Sequence, residues 1–440
     1  MTSPSRPNRL THYIMVGLVL GILAGWLCHQ FFPDSGAGFA EASSLLPTAF
    51  LRLIKMIIAP LVFSTLVVGI GKMGDIATVG RVGGKALGWF LGASLISLTL
   101  GLVLVELFEP GKAMHLPLPA ANAASGVEAA GLSMQTFIAH LIPTSVLDAM
   151  ARNEILQLVV FSLFFGTAMA ALGERSRPVI EVLDATSYIM LKVTGYVMWF
   201  APLAVFGALA SMVAKEGLDV IRIYGIFMGE FYLAMLILWC VLTALGFSII
   251  GPRVFNLLRR IREPVILAFS TASSEAAYPK TLEQLEKFGC SNRIASFVLP
   301  VGYSFNLDGS MIYCTFAVMF IAQAYGIEIP ISEQIVMVAI LMLTSKGIAG
   351  VPRASLVVIA ATLVQFNIPE AGLLLLGVDH FLDMGRSATN VIGNSIATAV
   401  VSKWEGELGE GEAETGSSHR VHRVHRDHRV ATEVTDPEMK

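Results

Sequence analysis

The chain has 440 residues, of which 55% are hydrophobic and 14% charged, with a mean hydropathy of +0.69. Soluble globular proteins carry about 25% charged residues, so this chain cannot clothe a water-soluble body of its size and takes the bilayer as its solvent. A net charge of −3 offers no basic field for nucleic acid, and Cys28, Cys240, Cys290 and Cys314 stand apart without a CxxC pair, which argues against a disulfide framework or thiolate metal site.

In chain order, residues 1–10 form a short polar N-terminus, and apolar stretches predict helices near 11–32, 44–72, 83–108, 136–172, 187–213 and 221–250. Each is long enough to cross about 30 Å of hydrocarbon. Arg6 and Arg9 precede the first run, three glycines interrupt it, and no small-residue cleavage site follows, so it reads as a span and not a cleaved signal. Arg152, Asn153 and Glu154 break the fourth segment. Basic residues collect in alternate connections: Lys72, Arg81 and Lys85; Arg175 and Arg177; Arg253, Arg259, Arg260 and Arg262. The connection 33–43 has none, and 110–135 is an Ala-, Pro- and Gly-rich outer loop. This alternation places both termini in the cytoplasm and the protein in the plasma (inner) membrane.

Beyond residue 250 the pattern changes. Two apolar segments are interrupted at their centres, by Ser270–Glu275 and by Ser345–Pro352, and neither half is long enough to span. They read as re-entrant hairpins, 261–289 and 330–366, alternating with spans 292–324 and 370–402. Such backbone is tolerated at membrane depth only where protein or a wet cavity surrounds it. The hairpin–span order suggests an inverted repeat. The domain reading is therefore helices one to six over 11–250, a transport core over 251–404, and a disordered tail over 405–440 in which His419, His422, His425 and His428 recur at period three.

Chemistry concentrates in the last span. Asp379, Asp383, Arg386, Asn390 and Asn394 sit at offsets 0, 4, 7, 11 and 15, within a helical stripe of roughly 80°. An ionised side chain at the bilayer centre costs about 2.5–3.5 kcal/mol even on lenient insertion scales, so this face needs partners and a protein-lined setting. A structural pair between Asp383 and Arg386 is the plain reading; a substrate and ion pathway is the functional one. The seventh span contains Gly302, Ser304, Asn306, Asp308, Gly309 and Ser310, whose glycines and polar residues break a helix and offer hard oxygen ligands for a small cation. The first tip, Ser273, Ser274 and Glu275, presents backbone N–H groups at a helix start, suited to a carboxylate. The second tip, with Gly347, Gly350 and Pro352, permits close approach and can gate.

With the motifs STASSE (270–275), NLDGS (306–310), SKGIAGVP (345–352) and DMGRSATNVIGN (383–394), the chain resembles the dicarboxylate/amino acid:cation symporters over about residues 10–404. The resemblance implies an all-α membrane protein of eight transmembrane helices plus two re-entrant hairpins, an elevator-type transport domain and a homotrimer. It implies that Arg386 pairs with a substrate side-chain carboxylate, that Asp383 takes an amino group, that Asn390 and Ser274 hold the main carboxylate, and that Ser273, Ser310, Ser355, Ser387 and the Val351 backbone line or close the pocket. Gly302, Ser304, Asn306, Asp308, Asn390 and Asn394 fall where the family couples cations, with a sodium ion the option at Asn306, Asp308 and Asn390.

Two departures bear on the coupling ion and gate. Sodium-coupled relatives carry an aspartate at Asn394 and hydroxyls at Phe90 and Ala93, so protons are expected, with sodium the alternative and Asp308 and Glu275 as proton carriers. Arg353 stands where many relatives have glycine, either as an extra carboxylate contact at the gate or facing water. The expected function is import of L-glutamate or L-aspartate, with four-carbon dicarboxylates (succinate, fumarate, malate) as the rival cargo and no cofactor. An anion channel and a non-transporting receptor are the readings from other classes.

Overall fold

The computed structural model describes residues 9–73, 76–113, 138, 141–217, 219–345, 354–369, 378–409 and 411. The described residues are overwhelmingly helical, and six helical stretches are long and apolar enough to cross a membrane. Helix α1 (Arg9–Phe31) packs along α8 (Ala201–Glu216). Gly17, Gly21 and Gly25 make this possible: a Cβ at each would lie 2.5–2.7 Å from the carbonyl oxygens of Pro202, Phe206 and Ala210. Small residues four apart let two backbones meet closely, the usual basis of helix association in lipid.

Helix α2 (Pro33–Met73) begins well before the expected residue 44, so the anticipated loop 33–43 is helical. Pro33 suits a first helical turn, and Ala37, Ala40, Glu41 and Ala42 are strong helix formers that hydropathy alone does not register. At 41 residues it measures about 60 Å, twice the hydrocarbon thickness, and carries Pro47 and Pro60 inside it. Helix α3 (Ile76–Phe108) is followed by the short α4 (Pro110–Ala113). The fourth segment is two helices, α5 (Val146–Arg152) and α6 (Ile155–Leu172), separated where Asn153 adopts φ 57°. The fifth starts ten residues earlier than expected, as α7 (Arg177–Val197), and reaches α8 through a 3₁₀ turn at Met198–Phe200. Its first turns, rich in charge, have a helical face but little net hydropathy. Helix α9 (Asp219–Ile250) completes the first half.

The second half holds α10 (Arg253–Thr271) and α11 (Tyr278–Phe288), joined by a turn in which Ala272 takes φ 48°, then α12 (Asn292–Phe305), α13 (Asp308–Ala324), α14 (Ile331–Thr344), α15 (Ala354–Gln365) and α16 (Asp379–Trp404). Helices α13 and α16 lie at the centre. On α13 every residue from Met311 to Gln323 is buried, and on α16 every residue from Met384 to Ser402. Around them stand α3, α9, α10, α12 and α15. The polar stripe of α16 is thus enclosed by protein and kept from lipid.

The tail was expected to be disordered from residue 405; its first five residues are docked. Glu405, 4% exposed, meets Arg81 at 3.0 Å and Lys85 at 2.7 Å. Glu407 accepts from Arg293 and, at 2.5 Å, from Ser291. Leu408 bridges to Cys290, and Arg253 donates to the Gly409 carbonyl at 2.5 Å. Charge pairing and backbone hydrogen bonds make this clasp, which is why a rule based on apolar content missed it. The histidine-rich stretch lies outside the described residues.

Candidate functional site

The stripe on α16 closes on one arginine. Arg386 is 2% exposed. Its Nη2 lies 2.9 Å from Asp383 Oδ1, one turn back, and 3.1 Å from Asp379 Oδ1, two turns back. The guanidinium stacks on the Tyr313 ring of α13 at 4.0 Å from the centroid, a cation–π contact strengthened by desolvation. Asp379 is buried, whereas the Asp383 side chain keeps 35% exposure. Both carboxylates crowd on one nitrogen, while Nε and Nη1 are buried with no hydrogen-bond partner among the described residues. Buried guanidinium donors seldom go unpaired, so three of the five N–H donors, one on Nε and two on Nη1, are left for an acceptor.

A second polar knot lies one to two turns along α16, where α12 stops and α13 starts. The Asn306 backbone donates to Gly302 at 2.7 Å, and the chain then turns through Leu307. Asn306 Nδ2 donates to Asp308 Oδ2 at 3.0 Å and to Asn394 Oδ1 at 3.2 Å. Ser97 of α3 donates to Asp308 Oδ1 at 3.3 Å. The Gly309 N–H donates to Asn390 Oδ1 at 2.9 Å, which leaves Asn390 presenting its amide nitrogen. Asn306 Oδ1, Asn394 Nδ2 and Ser304 Oγ are buried without hydrogen-bond partners among the described residues. Glycine is required by the packing: a Cβ on Gly302 would strike Asn394 Oδ1, one on Gly309 the Arg386 carbonyl, and one on Gly393 the Asp308 carboxylate. Phe90 stands against the same place, 3.4 Å from a Cβ on Gly302. The donor set is one carboxylate with amide and hydroxyl oxygens, which suits a proton or a hard cation and no softer metal.

The structure brings Asp383, Arg386, Ser387, Asn390 and Asn394 onto one wall, buried except at Asp383, with Gly302, Ser304, Asn306 and Asp308 opposite. Ser310 follows on α13 and is half-buried; Ser355 is half-buried at the start of α15. In the first tip, Ser273 Oγ accepts from the Ala276 N–H at 3.2 Å, and Ser274 is buried. Glu275 points elsewhere: it lines a narrow cleft with Ile58, Val62, Tyr278, Pro300 and Tyr303, away from the Asp308 knot. Gly347, Gly350, Val351, Pro352 and Arg353 lie outside the described residues.

Several members escaped sequence reading. Tyr313 is four residues after Gly309 on α13, so both face Arg386; that i, i+4 spacing was the available signal. Ser97 pairs with Ser94 at i, i+3, and both reach the α12–α13 break, Ser94 through the Phe305 carbonyl at 3.5 Å. On α9, Tyr232 donates to the Phe381 carbonyl at 2.6 Å and the Trp239 indole to Thr389 Oγ1 at 2.7 Å, bracing the rotation of α16 about its axis. Nothing in the local sequence distinguishes these two aromatic residues from lipid-facing ones.

An all-helical, multi-pass chain whose central helices enclose a half-paired arginine and a broken-helix polar knot defines the class of a membrane transport protein. Comparison with known proteins narrows this: the model of the sodium:dicarboxylate symporter family matches residues 10–404, and the chain belongs to that family. It is 40% identical over 415 residues to a C4-dicarboxylate transport protein of Laribacter hongkongensis, covering 93% of this chain and 92% of the relative. It is also 40% identical over 415 residues to one from Anaeromyxobacter sp. (strain K), covering 92% and 93%. A Bacillus subtilis C4-dicarboxylate transport protein is 37% identical over 411 residues, covering 92% and 96%.

Proposed function

We propose that this protein is a secondary symporter that imports four-carbon dicarboxylates such as succinate, fumarate or malate by alternating access. The carrying observation is that Nε and Nη1 of Arg386 are buried without a hydrogen-bond partner among the described residues, so the guanidinium keeps charged donors for which a substrate carboxylate is the fitting acceptor. The acidic amino acids expected from sequence required a free Asp383 for the amino group; Asp383 is engaged by Arg386 at 2.9 Å, and the relatives named above are dicarboxylate carriers. One substrate carboxylate lies on Arg386, and the other meets Asn390 and the serines of the first tip. The coupling ion is a proton, supported by the neutral Asn394 and the apolar Phe90 ring beside Gly302; the family description speaks for sodium. Eight spans with two opposed hairpins, an elevator movement of α10–α16, a homotrimer and cytoplasmic termini in the inner membrane complete the reading, and the family resemblance supports each.

Purified protein in liposomes, with sodium and proton gradients imposed separately, tests it. Concentrative uptake of labelled succinate driven by a pH gradient alone is expected, with weak competition by aspartate. Equal competition by aspartate overturns the cargo, and dependence on sodium overturns the ion.

A further inference from the structure

Away from the polar centre, α9 and the start of α10 form an open apolar groove of about 530 Å³. Leu236, Trp239, Cys240, Ala244, Phe247 and Phe255 line it, together with Thr243. Leu236 is 52% exposed, Phe247 46% and Phe255 59%. From Leu236 to Phe247 the groove follows α9 for about 16 Å, from the middle of the span Tyr224–Ile250 to its end. That length matches one leaflet of a bilayer whose hydrocarbon is about 30 Å thick.

Basic residues follow one end of the groove in sequence. Phe255 closes the groove where the span ends, and Arg259 and Arg262 follow it at i+4 and i+7 on the same face of α10, both exposed. This is the face of the molecule on which Arg253 and Arg293 engage the clasp. The groove's floor is rigid, because the Trp239 indole donates to Thr389 at 2.7 Å. We infer that this groove is a binding site for an anionic phospholipid, with an acyl chain along Leu236–Phe247 and the headgroup phosphate on Arg259 and Arg262. A one-leaflet apolar channel, with two exposed arginines on the helix face that carries its terminal Phe255, matches such a lipid in both length and charge. Arginine is the residue suited to a planar, bidentate phosphate contact.

Trp239 and Cys240 supply the readouts, neither of which needs transport activity. The protein is placed in phosphatidylcholine vesicles containing either brominated phosphatidylglycerol or brominated phosphatidylcholine at equal bromine content. Trp239 fluorescence is isolated by subtracting a Trp239→Phe variant. Quenching by the brominated phosphatidylglycerol should occur at about tenfold lower mole fraction. The Arg259→Gln/Arg262→Gln variant should lose this preference, and Arg259→Lys/Arg262→Lys should keep part of it. In parallel, maleimide alkylation of Cys240, the exposed one of four free cysteines, should slow in phosphatidylglycerol vesicles and not in the glutamine variant. Equal quenching by the two lipids overturns the site, as does a preference that survives both glutamines. No quenching by either lipid also overturns it, since a second copy of the chain then covers the groove.

Discussion

Two clusters of arginine and carboxylate flank helix α16, one near its start and one just past its C-terminal end, and they differ in completeness. At its C-terminal end, Glu405 and Glu407 meet Arg81, Lys85, Arg293 and Ser291, and both carboxylates are taken up by partners. Near its start, Arg386 meets Asp379 and Asp383 through one nitrogen and holds its other two nitrogens unpaired among the described residues. The satisfied cluster sits at the rim, where its carboxylates are covered and its cations, Arg81, Lys85 and Arg293, keep a third to a half of their surface in water. The unsatisfied one sits where an unpaired donor is expensive. Folding alone removes such a group; a site that must receive and release an anion retains it. The lesson is to rank charge clusters by what their buried atoms lack, not by the number of ion pairs.

The sharpest way to break this contrast is Arg386→Ala. Loss of a desolvated charge pair costs about 2–5 kcal/mol, so dicarboxylate uptake should fall roughly 30- to 4,000-fold, with the size-exclusion profile of the detergent-extracted protein unchanged. Arg386→Lys should recover little, because an ammonium lacks the planar fork. Near-normal uptake in Arg386→Ala would return Arg386 to a structural role.

Next in size is Asp383→Asn. Removing a negative charge beside the site favours a substrate that has only carboxylates and disfavours one with an amine. Succinate uptake should stay within about threefold, while any residual aspartate uptake falls tenfold or more. A parallel loss of both cargoes, measured by labelled uptake, would mark Asp383 as an anchor for Arg386.

Smaller still is Trp239→Phe, which leaves Thr389 without its indole donor. One hydrogen bond contributes about 0.5–1.5 kcal/mol, so the thermal midpoint should drop by a few degrees and KM for succinate rise modestly. An unchanged midpoint and KM would show that α16 needs no brace from α9.

The smallest effect belongs to the clasp. Glu405→Gln should cost at most about 1 kcal/mol, since its partners are largely exposed. Desolvation pushes the Glu405 carboxyl upward, but hydrogen bonds and charge from Arg81 and Lys85 outweigh it and hold the group below its ordinary value. Its contribution is therefore fully present above the unfolded carboxyl value of about 4.3 and disappears as pH falls through the lower folded value. The difference in thermal midpoint between wild type and Glu405→Gln should be flat from neutral pH to about pH 5 and vanish in stronger acid. A difference that grows on acidification would refute the assignment.

Residue order alone determined a good deal. Hydropathy is a local sum, so the membrane class and the long spans were legible in it. The 3.6-residue period is also local, so Asp379, Asp383, Arg386, Asn390 and Asn394 could be placed on one face before any partner was known, and the glycines and polar residues of 302–310 marked a helix break. Helical starts at Pro33, Ile76 and Arg177 were missed, because their propensity and amphipathic pattern carry no hydropathy signal. What only the tertiary structure decided was pairing across sequence distance. Arg81 and Glu405 are 324 residues apart, and Asn306 and Asn394 are 88 apart. Asp379, which spacing placed on the stripe without a role, proved to be a partner of Arg386, and Tyr313 and Ser97 joined the site from α13 and α3. Which donors on Arg386 stay unpaired depends on the packing of several helices at once, and no pattern along a single segment encodes that.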